Sequence, residues 1–102
     1  MADSPGLAFS EQDDSLVCTL VGHLDTQACA AIEAELLAKV REAQRPVVFD
    51  LAGVSYVASM FFRLCLQVAR EVGTKRFRIV QAQPAVNKVF KVAGLAAMVR
   101  QA

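Results

Sequence analysis

The fold is decided by the stretch Pro46-Val47-Val48-Phe49-Asp50-Leu51-Ala52-Gly53-Val54-Ser55-Tyr56-Val57-Ala58-Ser59-Met60. Its first part, Val47 to Leu51, is short and mostly apolar, which is typical of a central strand in a parallel sheet. Ala52-Gly53 predicts a turn, and Val54 to Val57 extends or re-forms the strand after it. A helix over residues 59–72 is predicted to follow at once. A buried strand joined directly to a helix indicates an α/β protein.

The segments on either side complete the element order ββαβαβα. They are strands at Leu7–Ser10, Ser15–Val21 and Arg76–Val80, and helices from Asp25 or Thr26 to about Ala43 and from Gln83-Pro84 to Gly94. The second strand is nearly apolar and is expected to be buried on both faces, with a break at Gly22-His23. This order predicts a single α/β domain over residues 1–102, with its core at about 7–99. Its sheet is mixed, mostly parallel and four-stranded, with helices packed against it.

Composition excludes several classes of protein. An apolar fraction of 55% is ample for a core and argues against disorder. The net charge is +1, and acidic and basic residues are interspersed, so the sequence shows no basic cluster of the kind that binds nucleic acid or an anionic membrane. The uncharged run Leu51–Phe62 is too short to insert into a bilayer, and the amino end lacks the basic region of a secretory signal. We therefore expect a cytoplasmic protein whose cysteines are buried and reduced.

The residues offer little for catalysis, and we expect neither an enzyme nor a bound cofactor or metal. His23 is the only histidine, and the three cysteines lack the CxxC spacing of zinc and dithiol sites. A glycine-rich phosphate loop is absent from the sequence. Asp50 follows an apolar strand as a receiver-type aspartate would, but the expected acidic cluster is missing. A carboxylate that caps the following turn is the preferred interpretation of Asp50.

Three patterns together resemble the STAS domain family, of the anti-sigma factor antagonist type. Gly22-His23-Leu24-Asp25 is similar to the step before the family's first helix, and Val47–Val54 is similar to its strand and turn. Ala93-Gly94-Leu95 is similar to the step after its last helix. The resemblance covers nearly the whole chain. It implies a binding module whose switch serine lies where the central strand meets the following helix.

At this junction the chain departs from the family pattern of an aspartate, two hydroxyl residues and a glycine. The corresponding residues are Ala58, Ser59, Met60 and Phe61, with Arg63 shortly after. The resemblance makes them the candidate partner-binding residues, and it puts Met60 at the usual phosphoacceptor position, where no phosphate can be attached. Ser59 either accepts a phosphate or caps the helix, and capping is preferred. Phe61 either joins Met60 in an exposed apolar contact surface or folds back into the core.

The resemblance implies a protein partner, namely an anti-sigma factor or a serine kinase-like ATPase in bacterial partner switching. Without a phosphoacceptor, the domain would act as a constitutive antagonist, a decoy or a scaffold subunit. The alternative is the small cytoplasmic STAS subunit of an ABC-type lipid transport complex, which docks onto the transporter ATPase. A ligand-binding domain ranks last, because no residues form a phosphate cradle. The apolar start of the helix could also mediate a homodimer.

Overall fold

The computed structural model describes residues 6–94 of the chain. The strands are β1 (Gly6–Gln12), β2 (Ser15–Leu24), β3 (Val47–Val57) and β4 (Phe77–Val80). The helices are α1 (Thr26–Ala43), α2 (Ser59–Val72) and α3 (Pro84–Val92), and a single 3-10 turn at Thr74–Arg76 precedes β4. The predicted order of elements is confirmed. The end of the predicted core, residues 95–99, and Leu95 of the third family pattern lie outside the described residues.

The four strands form one sheet in the order β1-β2-β3-β4. β1 pairs with β2 in the antiparallel sense, and β2–β3 and β3–β4 are parallel. The two-residue connection between β1 and β2 requires an antiparallel hairpin, whereas α1 and α2 provide the crossovers that parallel neighbours need. The predicted mixed, mostly parallel sheet is therefore confirmed.

The core lies between the helices and one face of the sheet. Alternate strand residues point into it, and all three helices contribute buried side chains to the same cluster. At its centre the Phe49 ring lies 4.9 Å from Phe77 and 6.0 Å from Phe61. The prediction that β2 is buried on both faces is wrong, because Leu16, Cys18 and Leu20 are buried but Val21 is 46% exposed. The opposite face of the sheet carries no helix among the described residues.

Two strands run further than the sequence predicts. β2 continues through Gly22-His23 to Leu24, and β3 continues through Ala52-Gly53 to Val57, so neither predicted interruption ends a strand. Both interruptions are absorbed as shifts in the β2–β3 register, between Thr19 and Val21 and between Gly22 and His23. Gly22 adopts a φ of 108°, which glycine tolerates without steric cost. Pairing between the strands thus outweighs the local turn signals.

The helix ends are mostly where local signals put them. The Asp25 carboxylate accepts the N–H of Ala28 at 2.8 Å and caps α1, so of the two predicted starts, Asp25 and Thr26, the structure selects Asp25 as the cap. Gly73 follows α2 with a φ of 96°, and Gly94 follows α3 with a φ of 79°. Within residues 6–94, no helix is both long enough and apolar enough to cross a membrane.

Candidate functional site

The candidate site lies where β3 ends and α2 begins, at the carboxyl edge of the parallel strands. Only Ala58 separates the last residue of β3 from the first residue of α2. The N–H of Ala58 donates to the carbonyl of Leu24 at 2.9 Å, which ties this junction to the end of β2. The start of α2 is therefore held on the rigid part of the sheet, as a binding surface needs to be.

The amino end of α2 has no side-chain cap. Ala58 takes the N-cap position, with extended backbone angles, and cannot supply an oxygen. The prediction that Ser59 caps the helix is wrong, because Ser59 is already the first helical residue and its side chain is exposed. The first turn of α2 also contains no acidic residue. Thus α2 itself places no negatively charged side chain near the positive end of its helix dipole.

Phe61 folds back into the core. The alternative prediction, that it joins Met60 in an exposed apolar contact surface, is wrong. Its side chain is 0% exposed, and its ring lies 6.0 Å from Phe49 and 6.1 Å from Phe90. The reason is helical geometry, since Phe61, Leu64, Cys65 and Val68 recur on the face of α2 that meets the sheet. Phe61 positions the helix and offers no surface to a partner.

The remaining residues form a small mixed surface, here called the α2-start surface: Ala58, Ser59, Met60 and Arg63. Met60 is partly buried and packs against the edge of the core, while Ser59 and Arg63 are exposed. A partly exposed thioether beside a cation and a hydroxyl offers both apolar contact and hydrogen-bond donors. No hydroxyl stands at position 60, so this residue cannot be phosphorylated.

A stacked aromatic pair near the carboxyl ends of β2 and β3 was missed by sequence reasoning. His23 and Tyr56 are register partners on β2 and β3, and their rings stack with centroids 4.4 Å apart and planes at 15°. His23 is exposed, and Tyr56 is 45% exposed. The sequence indicated a turn at His23, and only the shifted register places it opposite Tyr56. An exposed, pre-organised aromatic pair is a feature typical of binding surfaces.

Asp50 has the structural role that the sequence favoured. Its carboxylate accepts the N–H of Ala52 at 3.0 Å, as an aspartate in a turn-like segment does. Nowhere in the described part of the chain do three His, Cys, Asp or Glu side chains gather closely enough to hold a metal ion. The geometry around Asp50 therefore offers no receiver-type site.

The three cysteines are buried and unpaired, as predicted. Burial raises the pKa of the Cys18 thiol from 9.0 to about 12. Burial, with the nearby carboxylates of Asp25 and Glu33, raises the pKa of Cys29 to about 11, and burial raises the pKa of Cys65 well above 9.0. The reactive thiolate form is thus suppressed at neutral pH, which fits packing rather than redox chemistry.

Comparisons with known proteins agree with this geometry. The family profile described as "Mlab, STAS domain" matches residues 7–100. The protein described as "Putative anti-sigma factor antagonist BtrV" of Bordetella bronchiseptica is 31% identical over 90 residues, which cover 86% of this chain and 78% of BtrV.

Solved structures share the fold. An anti-sigma factor antagonist from Mycobacterium paratuberculosis superimposes with a TM-score of 0.84 at 22% identity, covering 99% of this chain and 87% of that chain. The Bacillus cell fate determinant SpoIIAA in its phosphorylated form gives a TM-score of 0.68 at 22% identity, covering 95% and 91%. With the profile match across nearly its whole length, the chain belongs to the STAS domain family.

Proposed function

We propose that this domain is a non-catalytic interaction module that acts as an anti-sigma factor antagonist, and that its docking is not controlled by phosphorylation at position 60. The observation that carries the proposal is Met60, which is partly exposed at the second position of α2, on a helix start anchored to the sheet. Similarity to BtrV supports an anti-sigma factor or a related serine kinase-like ATPase as the partner.

The α2-start surface has properties suited to docking. Phe61 locks the helix start into the core, so Met60 and Ser59 are presented with little freedom to lose on binding. Ala58 and Met60 carry no charge, and a partner can approach without meeting the repulsion that a phosphate would create.

The lack of phosphoryl control gives the first test. The purified protein is incubated with a partner kinase and ATP, and phosphate incorporation is measured by mass spectrometry. The wild type is expected to remain unmodified, whereas the combined variant Ala58→Asp, Met60→Ser regains the aspartate and both hydroxyl residues of the family pattern, though not its glycine, and is expected to accept phosphate. Phosphate on Ser59 of the wild type, together with weaker partner binding by the phosphorylated protein, would refute phosphorylation-independent docking.

Docking itself is tested by affinity capture from source-cell lysate with quantitative mass spectrometry, followed by titration of the purified partner. Met60→Asp places a charge on the α2-start surface and is expected to weaken binding about tenfold or more. Gln67→Asp adds the same charge to an exposed position further along α2, and it is the matched control. Equal affinity for the wild type and Met60→Asp would show that this surface is not the interface.

The second candidate function is the small STAS subunit of an ABC-type lipid transport complex. Met60 supports it as well, because a permanent subunit needs a docking surface but no phosphoryl cycle. The same capture experiment separates the two candidates. A kinase-like ATPase or an anti-sigma protein lost in Met60→Asp supports the antagonist, whereas a transporter ATPase lost in that variant supports the transport subunit.

A further inference from the structure

A polar depression of about 260 Å³ lies on the face of the sheet opposite the helices. It extends from the β1–β2 hairpin across β2 and β3 to β4, and we call it the sheet depression. Its charged lining residues are Asp13, Asp50 and Arg78, and its apolar lining residues are Val17, Val48 and Val80. The sheet depression shares no residue with the α2-start surface, so it is a separate part of the molecule from the one proposed for docking.

Valine side chains form the floor of the sheet depression. Val48 and Val80 are only 6% and 8% exposed, and Val17 is the register partner of Val48. Charged residues form the rim, since Asp13 and Arg78 are exposed. A molecule that enters the depression therefore meets apolar groups below it and a few charged groups around it, which is the arrangement typical of small-molecule sites.

Asp50 on β3 and Arg78 on β4 bring opposite charges to the same depression. The register pairs Val48 with Arg78 and Asp50 with Val80, so Asp50 and Arg78 are diagonal neighbours on one face. Side chains in this relation start about 7–8 Å apart, a gap that long side chains span. Within residues 6–94, the ion pairs join other residues and include neither Asp50 nor Arg78. The carboxylate and the guanidinium thus have space between them.

The backbone holds the Asp50 carboxylate in place. One of its oxygens accepts the N–H of Ala52 at 3.0 Å. A carboxylate offers about four acceptor positions, so the others are available to a ligand. A direct contact between Asp50 and Arg78 in solution would be an ion pair at the surface, which contributes little stability. A ligand with charges of its own can therefore replace such a contact without a large loss.

The charges indicate the class of ligand. Two carboxylates and one guanidinium leave the lining with one negative charge in excess, which disfavours a phosphate or another plain anion. A zwitterion is compatible with this lining, because its ammonium matches the carboxylate of Asp50 and its carboxylate matches the guanidinium of Arg78. An α-amino acid carries both groups on one carbon and can therefore reach both neighbouring side chains at once.

We propose that the sheet depression binds a small aliphatic amino acid. Its ammonium donates to Asp50, its carboxylate accepts two hydrogen bonds from Arg78, and its hydrocarbon side chain lies on Val48 and Val80. The volume is just below the range of roughly 300–1,000 Å³ for drug-sized ligands, which suits a molecule this small. We expect a dissociation constant of about 1 mM, because the charged groups are largely solvated.

The test is a titration of the isotope-labelled full chain with L-leucine, up to about 20 mM at neutral pH, followed by two-dimensional NMR. Changes in amide shifts are expected to be confined to the sheet depression, around Thr19, Asp50 and Arg78. Two probes share the hydrocarbon skeleton of leucine: isocaproate lacks the ammonium and isoamylamine lacks the carboxylate. Each is expected to bind about fivefold or more weakly, because only one of the two charges is matched.

Two variants test the charged residues separately. Asp50→Asn removes the charge but keeps an oxygen that can accept the Ala52 N–H, and Arg78→Gln removes the guanidinium. Each is expected to raise the dissociation constant for L-leucine about fivefold or more. Arg70→Gln removes an exposed arginine on α2, and this matched control is expected to bind as the wild type does. The amide spectra also show whether each variant is folded.

Three results would overturn the proposal. The first is a wild type whose amides in the sheet depression do not shift at the highest L-leucine concentration. The second is equal affinity for L-leucine and for either single-charge probe, since the site would then not recognise a zwitterion. The third is an unchanged dissociation constant in both Asp50→Asn and Arg78→Gln, which would place the ligand elsewhere. Partner capture with Met60→Asp reports on docking independently of these results.

Discussion

Two separate variants, Phe61→Ala and Met60→Ala, test whether Phe61 stabilises the fold while its neighbour Met60 contributes mainly to partner binding. Phe61 is fully buried, with aromatic neighbours at 6.0 Å and 6.1 Å, while Met60 is only partly buried. Truncating a buried phenylalanine costs about 3–5 kcal/mol, because apolar contact is lost and a cavity remains. For a domain of this size, the melting temperature falls by roughly 12–40 °C.

Met60→Ala removes contacts that are partly solvated already, and alanine is the better helix former. We expect a loss of about 1 kcal/mol, well below the 2–5 kcal/mol of a core methionine. The same variant is expected to weaken partner binding. Urea denaturation followed by circular dichroism measures both unfolding free energies, and equal m-values would show that the unfolded states are comparable.

Phe61→Leu is the control: it keeps a smaller apolar side chain in the core and is expected to cost clearly less than Phe61→Ala, because a smaller cavity remains. The reasoning would be refuted if Met60→Ala destabilised the protein as much as Phe61→Ala. It would also be refuted if Phe61→Ala cost less than about 1 kcal/mol, since Phe61 would then not hold α2 against the sheet.

Four further predictions concern the helix caps and the buried thiols. Asp25→Ala removes the cap of α1 and should lower the unfolding free energy by about 1 kcal/mol in urea, whereas no change would mean that the 2.8 Å hydrogen bond is dispensable. Ala58→Asn supplies the cap that α2 lacks and should raise stability by about 1 kcal/mol; a loss would show that the helix start cannot take a side-chain cap. The native thiols should react slowly with a disulfide reagent at pH 8 and quickly in urea, and a fast native thiol would contradict their raised pKa. Because the thiols ionise near pH 9 only in the unfolded chain, stability is expected to fall as pH rises above about 9, and a flat profile would argue against burial of Cys18, Cys29 and Cys65.

The sequence by itself determined the elements and their order. Apolar runs, the capping carboxylate of Asp25, and the glycines after α2 and α3 are local signals, and each acts within a few residues of where it stands. The mixed sheet followed from them, since a two-residue hairpin must be antiparallel and helical crossovers make parallel neighbours. The departure from the family motif at Met60 was also visible in the sequence, because it depends on residue identity alone.

Only the tertiary structure decided which residues reach the surface. Phe61 and Met60 are adjacent and equally apolar in sequence, and the angle of α2 on the sheet sends one inward and leaves the other partly exposed. His23 and Tyr56 are 33 residues apart and become neighbours through a register shift that no local signal predicts. Within residues 6–94 the helices pack on one face of the sheet only, which is why Val21 of the nearly apolar β2 is exposed. Packing and strand register are long-range properties, and they override local turn and capping preferences wherever pairing and burial contribute more free energy.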